Sequence, residues 1–333
     1  MAKIVLGIGS SHGPQLGMQP EQWQIRADAD RQNPALWYRG KTYRYDDLVE
    51  ERADAHFEKE LDPEKMRGRY NACQQAIVAL GDTIKEVKPD VCVIIGDDQE
   101  EVFLTDNMPA ISVYWGESVR GMPQLHNLRG PDPNPTGWGR FPEEPTDYPG
   151  VPDLGLHLIH EFVEGEFDVA HSKKLPAGRH KDFGIGHAFS YVYRRLMRDD
   201  VTPNVPIMLN TYYPPNQPSL GRCYNLGRRL KQAIETWDSD KTVALIASGG
   251  LSHFVIEEDL DAQIIKGLRE KDEQQLTSLP VEWFNSGTSE IRSWITVAGA
   301  LEETDMEIKF VDYVPCYRSP AGTGCAMGFA EWR

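Results

Sequence analysis

The sequence predicts an α/β fold in which helices flank a central, mostly parallel sheet. Three observations predict this class: short apolar runs suited to buried strands, an amphipathic segment between the first two runs, and polar residues directly after several runs. The first two runs are residues 4–8 and 91–95, and apolar residues recur at spacings of three and four over residues 66–84. A helix that leads into a second buried strand is the repeating unit of parallel sheets.

Two irregular stretches interrupt this pattern in the first half of the chain. Residues 15–65 are polar with interspersed tryptophan and tyrosine, and we expect an insertion that packs over the fold through its aromatic side chains. Residues 108–115 predict a third strand, whereas residues 120–152 are rich in proline and glycine and predict an irregular loop. The sequence therefore predicts one domain over residues 1–333 that includes this insertion and this loop.

The second half of the chain predicts further strands and helices. An acidic start favours a helix over residues 257–275, because carboxylates are stabilising near a helix N-terminus. Ser286 is predicted to cap a helix that runs to about residue 301, with Glu290 in its first turn. The remaining predicted segments are a helix at 154–162, a strand at 167–170, a strand at 205–209, a helix at 222–236, a strand at 242–247, a strand at 310–314 and a tight turn at 322–324.

Composition and charge argue against several classes of function. The formal net charge of −16 disfavours nucleic acid and anionic membrane surfaces as partners, but it leaves small anionic substrates open. The five cysteines are scattered without a CxxC pair, so neither a zinc knuckle nor a disulfide framework is indicated. The sequence shows no leader and no apolar run of about 18 residues. We therefore expect a soluble, cytoplasmic protein.

Polar side chains follow the predicted strands at the ends where α/β sheets form sites. His12 follows the first strand, Gln99 the second and His253 the strand at 242–247, while His187 lies in the segment GIGHAF. Because the carboxyl ends of parallel strands meet at one edge, we expect these side chains to line one crevice. A crevice lined by histidine and carboxylate suits a 2-His-1-carboxylate iron site, and on spacing alone zinc fits equally well.

Each of these residues also has a structural interpretation. His253 could cap a following helix, Glu290 could only stabilise a helix dipole, and His187 could be a buried histidine beside a glycine turn. At least one of Asp97 and Asp98 is predicted to cap the turn after the second strand. Residue types alone therefore leave the site open.

Seven segments along the chain form a specific combination, namely GIGSSHGPQLG, PDVCVIIGDDQ, GIGHAF, NTYYPPNQPSLGRC, ASGGLSHF, SGTSEIRSWITVAGAL and SPAGTGCAMG. Together they resemble the class III (LigB-type) extradiol ring-cleavage dioxygenases, over most of the chain outside residues 15–65 and 120–150. The long insertion and GDDQ are most similar to the single-chain 3-O-methylgallate/gallate dioxygenase branch. The resemblance implies extradiol (meta) cleavage of a catechol- or gallate-type aromatic, with both atoms of O2 inserted through a non-haem Fe(II).

The resemblance also assigns roles to individual residues. His12 and Glu290 match the family's first iron-binding histidine and its carboxylate ligand. His253 matches the acid/base histidine, and His187 matches a further active-site histidine. The remaining iron-binding histidine of the family aligns with Gln99, a neutral and weaker ligand.

The departure at Gln99 predicts a weakly bound metal, with this glutamine or another group completing the site. His56, in the insertion, is the nearest alternative ligand in sequence, and its other interpretation is a surface histidine. Tyr212, Ser319 and Thr323 are predicted to hold substituents of the substrate ring.

Two other functions stay open on the sequence. One is a metal-dependent hydrolase on the same scaffold, in which Zn²⁺ activates water. The other is a non-catalytic binding protein with a degraded metal site, which Gln99 alone supports. For the dioxygenase, the expected partners are a small aromatic substrate and O2, and the family's dimers and αβ assemblies leave a homodimer open.

Overall fold

The computed structural model describes residues 1–123, 140–175 and 184–333. In chain order its strands are β1 (Lys3–Ser10), β2 (Leu36–Tyr38), β3 (Lys41–Tyr43), β4 (Val91–Asp97), β5 (Ile111–Tyr114), β6 (Ser118–Gly121), β7 (Thr146–Pro149), β8 (Ala170–Ser172), β9 (Asn204–Leu209), β10 (Thr242–Ser248), β11 (His253–Val255), β12 (Ile308–Tyr317) and β13 (Thr323–Trp332). Its helices are α1 (Trp23–Gln32), α2 (Tyr45–Glu51), α3 (Pro63–Val87), α4 (Pro152–Glu164), α5 (His187–Tyr191), α6 (Leu220–Thr236), α7 (Glu258–Glu270), α8 (Glu273–Thr277) and α9 (Ile291–Leu301).

Within the described residues, nine strands form one sheet in the order β11-β13-β1-β10-β4-β9-β5-β8, with β12 paired to β13. The neighbours β1, β10, β4 and β9 are parallel, whereas β13 and β5 run antiparallel to β1 and β9. The predicted α/β class with a mostly parallel sheet is therefore confirmed.

Separate apolar cores cover the two faces of the sheet. In β4, Val93 and Ile95 belong to one core and Cys92 and Ile94 to the other, because successive strand residues point to opposite faces. Helices α6 and α9 contribute to the first core, and α3 and α5 to the second. A strand that is buried on both faces has a continuous apolar sequence, which is why these strands were predictable.

The carboxyl ends of the parallel strands lie side by side. Ser10 of β1 pairs with Ser248 of β10, and Ser248 pairs with Gly96 of β4. The next residue of β4, Asp97, pairs with Leu209 of β9. The segments that leave this edge therefore start close together, as the crevice predicted from the sequence requires.

Strand β13 is missing from the sequence-based prediction, which ends the sheet at residues 310–314 and places a turn at 322–324. Two glycines and a glutamate interrupt its apolar character, yet all of its residues are buried between β1, β11 and β12. Close packing explains one glycine, since a methyl group added at Gly328 would lie 2.9 Å from the Leu251 side chain. Long-range pairing, which a local pattern does not reveal, makes this segment a strand.

Two predicted helices differ from the structure in detail. The helix predicted at 257–275 is two helices, α7 and α8, because Lys271 between them adopts a left-handed conformation with φ of 51°. Ser286 does not cap an α-helix but begins the 3₁₀ turn Ser286–Glu290, which α9 follows directly. Glu290 is therefore the last residue of that turn, immediately before the helix.

The insertion at residues 15–65 contains α1, the β2–β3 hairpin and α2. Tyr45 from the insertion shares a small apolar core with Val255 of β11. A buried ion pair joins Asp30 of α1 to Arg318, with 2.7 Å between Oδ2 and Nε. The insertion is therefore attached to the main sheet by apolar and ionic contacts.

The loop predicted at 120–152 begins and ends in a two-stranded ribbon of β6 and β7, and its residues 124–139 lie outside the described residues. The strands predicted at 108–115 and 167–170 correspond to the shorter β5 and to β8, which begins three residues later. No helix in the described ranges has the length and apolar character needed to cross a bilayer. The grouping of the whole chain into one domain stays a prediction.

Candidate metal centre

Four histidine and acidic side chains meet at the carboxyl edge of the sheet. His12 follows β1, Asp97 ends β4, His187 begins α5 and Glu290 precedes α9. One potential ligand atom from each lies within 4.8 Å of the others, and each residue is at most 9% exposed. We refer to these four residues as the His/Asp/His/Glu cluster.

The surroundings of His12 fix which of its ring nitrogens bears the proton. Nδ1 lies 3.0 Å from the hydroxyl oxygen of Ser248, and that hydroxyl donates to the carbonyl oxygen of Ala188 at 2.7 Å. Since the hydroxyl has only one proton, Nδ1–H of His12 is the donor and Nε2 keeps its lone pair. Burial lowers the pKa of His12, which favours this neutral form.

Glu101 orients His187 in a similar way. Nδ1 of His187 lies 2.7 Å from Oε2 of Glu101, and the backbone N–H of His187 donates to the same carboxylate at 3.1 Å. The unprotonated Nε2 then faces Nε2 of His12 at 3.1 Å. Burial lowers the pKa of His187 as well. Histidines that bind metals are commonly held through the second ring nitrogen by a carboxylate or another acceptor.

Asp97 is the least satisfied group of the cluster. Its side chain is fully buried, and neither oxygen has a hydrogen-bond partner among the described residues. Oδ1 lies 3.6 Å from Nε2 of His12, and Oδ2 lies 3.9 Å from Nε2 of His187. Burial, reinforced by the charge of Glu290, raises the pKa of Asp97. A buried carboxylate without donors is costly unless a cation compensates it.

Glu290 makes polar contacts through both of its oxygens. Oε2 accepts a hydrogen bond from the backbone N–H of Gly250 at 2.7 Å and lies 3.3 Å from Nε2 of His12. Oε1 lies 3.1 Å from Nε2 of Gln99 and 3.2 Å from Nε2 of His253. Burial opposes ionisation of Glu290, but the pKa of this carboxyl is still held well below its usual 4.5, and His253 makes the largest contribution in that direction.

Gln99 and His56 lie in very different environments. The Gln99 side chain reaches the crevice and donates its amide N–H to Glu290, although a role as metal ligand stays a prediction. The His56 side chain is 59% exposed and pairs with Glu58 at 3.3 Å. The surface interpretation of His56 is therefore confirmed.

His253 begins β11 and does not cap a helix. Its Nδ1 lies 2.7 Å from the carbonyl oxygen of Leu251, so Nδ1–H is the donor and Nε2 is the atom that faces Glu290. Burial alone lowers the pKa of His253, but the Glu290 carboxylate more than offsets this and raises it above 6.5. Its assignment as the acid/base histidine stays a prediction.

Asp98 caps the turn after β4, which confirms the prediction for at least one of the two aspartates. Its carboxylate accepts hydrogen bonds from the N–H groups of Val102 and Phe103 at 2.8 Å and 3.0 Å. Asp97 belongs to the cluster instead, and the sequence interpretation missed it. One signal was available, because Asp97 and Gln99 have the two-residue spacing of side chains on one face of a strand.

The residues predicted to bind substrate lie in two places. Tyr212 is half-buried, and its hydroxyl lies 3.5 Å from the hydroxyl of Ser286. Thr323 donates to Asp30 at 2.6 Å, so Ser319 is the donor in the 2.7 Å contact between Ser319 and Thr323. These two hydroxyls take part in a buried network, and a contact of any of the three predicted residues with substrate stays a prediction.

Two glycines beside the site are needed because neighbouring side chains approach them closely, not because their backbone angles are unusual. Gly186 has φ of −61°, and a methyl group added there would lie 2.5 Å from Oε2 of Glu101. A methyl group added at Gly287 would lie 2.1 Å from Cδ2 of His253. The glycine beside His187 therefore makes room for the carboxylate that orients this ring.

A family model described as the catalytic LigB subunit of aromatic ring-opening dioxygenase matches residues 57–324. The chain belongs to this family. The resemblance to the class III extradiol dioxygenases is thereby confirmed. The matched LigB range includes Gln99, His187, His253 and Glu290, and His12 precedes it.

Two curated relatives match part of the chain. A gallate dioxygenase from Pseudomonas putida is 31% identical over 205 residues, which are 57% of this chain and 56% of the relative. A 2,3-dihydroxyphenylpropionate/2,3-dihydroxicinnamic acid 1,2-dioxygenase from Comamonas testosteroni is 25% identical over 182 residues, 55% of this chain and 49% of the relative. The chain thus matches about half the length of each relative.

The LigB resemblance implies a bound metal, and the residues present fit one. Asp97 presents two buried oxygens that have no donor among the described residues, and His12 and His187 present unprotonated Nε2 atoms to the same space. Imidazole nitrogens and carboxylates are the donors of non-haem Fe(II) sites, and zinc accepts the same donors.

Proposed function

We propose that this chain is an extradiol ring-cleavage dioxygenase that acts on a catechol- or gallate-type aromatic with a non-haem Fe(II). The observation that supports this most is the His/Asp/His/Glu cluster, buried at the edge of the sheet where α/β proteins form their sites. The printed names of the two relatives, a gallate dioxygenase and a dihydroxyphenylpropionate dioxygenase, favour an aromatic acid with hydroxyl substituents.

His12, His187, Asp97 and Glu290 would hold the metal. Gln99 would restrain Glu290, because its amide already donates to Oε1 of that carboxylate. Bound Fe(II) would supply a Lewis acid that favours ionisation of a coordinated hydroxyl and brings the aromatic ring and O2 together. This arrangement differs from the sequence-based ligand set by including Asp97 and His187.

The acid/base step belongs to His253. Its Nδ1 is fixed by the Leu251 carbonyl, so protons can be exchanged with the crevice only through Nε2. We propose that Nε2 takes a proton from a substrate hydroxyl and later returns it to an oxygen atom of the ring-opened product, a role suited to imidazole near neutral pH. Burial of His253 keeps bulk water from this atom.

Oxygen uptake tests the proposal. Protein loaded with Fe(II) under anaerobic conditions is mixed with gallate, 3,4-dihydroxybenzoate or catechol in oxygenated buffer, and O2 consumption and ring-opened product are measured. We expect uptake with at least one of these compounds, its loss in Glu290→Ala and its retention in the exposed control His56→Ala. Absence of uptake over a broad catechol panel contradicts the proposal, and tightly retained zinc without uptake favours the hydrolase instead.

A further inference from the structure

Strand β11, which begins with His253, has little backbone support from the sheet. It is three residues long, and within the described residues it pairs with β13 alone, at one end of the sheet. A strand of this length with one neighbour makes few backbone hydrogen bonds, so other contacts are needed to hold it. The position of His253 therefore depends on side-chain contacts as well as on the sheet.

One of these contacts comes from the 3₁₀ turn that contains Glu290. The Thr288 hydroxyl accepts a hydrogen bond from the backbone N–H of His253 at 3.0 Å and donates to its carbonyl oxygen at 2.9 Å. The same turn ends at Glu290, whose Oε1 lies 3.2 Å from Nε2 of His253. The backbone of His253 is thereby held against the cluster from one side.

The insertion contacts the four residues that follow His253, beginning with Phe254 and Val255. The guanidinium of Arg26, on α1, lies over the Phe254 ring at 5.7 Å from the ring centre. Val255 is buried in the small apolar core that it shares with Tyr45 of α2. Both residues that complete β11 are therefore in contact with side chains of the insertion.

The next two residues are bound through hydrogen bonds. The carbonyl oxygen of Ile256 accepts a hydrogen bond from Nη2 of Arg52 at 2.8 Å. The carboxylate of Glu257 accepts from the backbone N–H and from Nε of Arg39, each at 3.3 Å. The insertion thus contacts every residue from 254 to 257.

Arg52 is the contact that reaches both strands of the β11–β13 pair. Its Nη1 donates to the carbonyl oxygens of Ala321 and Gly322 at 3.2 Å and 3.3 Å, directly before β13 begins. A methyl group added at Gly322 would lie 2.3 Å from this Nη1, so glycine is needed for the approach. The Phe57 ring lies 4.4 Å from the guanidinium and supports it. One half-buried side chain therefore joins the end of β11 to the start of its partner strand.

We propose that the insertion positions the acid/base histidine by holding β11 through Arg52. This inference rests on the proposed function and names a positioning residue for its proton-transfer step. The four residues of the His/Asp/His/Glu cluster lie on other elements, so loss of Arg52 displaces His253 and leaves the metal site in place. Proton transfer requires Nε2 within hydrogen-bond reach of a substrate hydroxyl, and a displacement of about 1 Å can slow a reaction about 100-fold.

The test compares three variants at residues of the insertion. Arg52→Met removes the three hydrogen bonds of this side chain, Arg52→Lys keeps a cationic donor, and Arg44→Met is the control at an exposed arginine. Turnover of 3,4-dihydroxybenzoate by Fe(II)-loaded protein gives kcat and KM, and competition with a chelator gives Fe(II) affinity. For Arg52→Met we expect kcat to fall about 10- to 100-fold, with KM and Fe(II) affinity changed by less than about 3-fold. Arg52→Lys should recover part of kcat, and Arg44→Met should match the parent protein.

Amide hydrogen exchange of the Fe(II)-loaded protein, followed by mass spectrometry, gives a second readout that needs no turnover. In Arg52→Met we expect faster exchange confined to residues 253–257 and 319–323, because the strand pair loses the side chain that joins it. Urea denaturation gives the free energy of unfolding of each variant. Should Arg52→Met not fold, the same comparison is made with Arg52→Lys, for which we expect a smaller fall in kcat.

Three results would overturn the positioning role. A rise in KM with unchanged kcat would show that the insertion only covers the site. Parallel losses of kcat, Fe(II) affinity and free energy of unfolding would show general destabilisation. Unchanged exchange over residues 253–257 would show that Arg52 does not hold β11. If no catechol is turned over by any variant, the proposed reaction fails, whereas faster exchange in Arg52→Met would still show that Arg52 holds the strand that bears His253.

Discussion

Nε2 of His12 faces Nε2 of His187 at 3.1 Å, and the Nδ1 of each ring is held by a neighbouring acceptor. Ser248 holds His12, and Glu101 holds His187. Two neutral imidazoles in this relation leave the lone pairs of both Nε2 atoms free within 3.1 Å of each other. The structure thus offers the nitrogen half of a metal site with its tautomers already set.

The first prediction concerns the group that orients His12. Ser248→Ala removes the acceptor of Nδ1–H, so the ring is free to change tautomer or rotate. We expect Fe(II) affinity to fall about 10- to 100-fold, the usual cost of losing such a partner, as measured by anaerobic competition with a chelator. The matched control is Ser112→Ala on β5, a buried serine whose hydroxyl has no hydrogen-bond partner within the described residues. A similar loss of affinity in both variants would contradict the assignment.

The second prediction concerns Gln99. Gln99→His should tighten Fe(II) binding, because an imidazole placed beside Glu290 would add a nitrogen ligand that the restraining amide does not supply. Gln99→Ala should weaken it, because Glu290 loses the donor that restrains Oε1. His56→Ala should leave affinity unchanged, since that side chain is exposed and pairs with Glu58. The role of Gln99 is wrong if chelator competition gives the same affinity for all three variants.

The third prediction separates catalysis from metal binding. Gly287→Ala places a methyl group where Cδ2 of His253 lies 2.1 Å away, so the ring must move. We expect kcat to fall about 100-fold, as for a misplaced catalytic group, with a much smaller change in Fe(II) affinity. Gly68→Ala is the control, because a methyl group added there meets no atom within 4 Å. Unchanged kcat in Gly287→Ala would argue against His253 as the acid/base residue.

The fourth prediction is a pH dependence of stability that arises at Asp261. Burial raises the pKa of Asp261 from 3.8 to about 6, against the hydrogen bonds that it accepts from Ser252 and Tyr313. Between these two values the folded state binds more protons than the unfolded state, so the free energy of unfolding falls as pH rises. The shift of about two units corresponds to roughly 3 kcal/mol.

Urea denaturation between pH 4.5 and 7.5 measures this effect in Asp261→Asn and in the parent protein. We expect the variant to lose part of the decline in stability with rising pH, and the exposed control Asp28→Asn to keep it. Identical pH profiles for Asp261→Asn and the parent would show that Asp261 titrates alike in both states.

The parts of the fold that were predictable from sequence are those with local signals. Strands β1, β4, β9 and β10 are buried on both faces, so each has a continuous apolar sequence. Strand β13 contains Gly324 and Gly328 and depends on pairing with β1, β11 and β12. The local spacing of apolar residues does not indicate this long-range pairing. The 3₁₀ turn before α9 contains residues typical of a helix N-terminus, so its geometry was not distinguishable from a first α-helical turn.

The residues of the site likewise divide into those that the sequence predicted and one that it did not. His12, His187 and Glu290 were expected in one crevice from strand ends and family resemblance, and they lie together. Asp97 was missed because an aspartate at a strand end has the same sequence signature as a turn cap, the role that Asp98 fills. Only the three-dimensional positions show that one carboxylate accepts backbone N–H groups and that the other has no donor among the described residues.

Anomalous scattering at the iron edge from a crystal loaded with Fe(II) tests the central claim most directly. His12 and Glu290 are close enough to share one ion, with 3.3 Å between Nε2 and Oε2. We predict one strong peak inside the His/Asp/His/Glu cluster, about 2.0–2.3 Å from Nε2 of both His12 and His187. A loaded crystal with no peak there, or with its only peak at a surface group such as His56, would contradict the account.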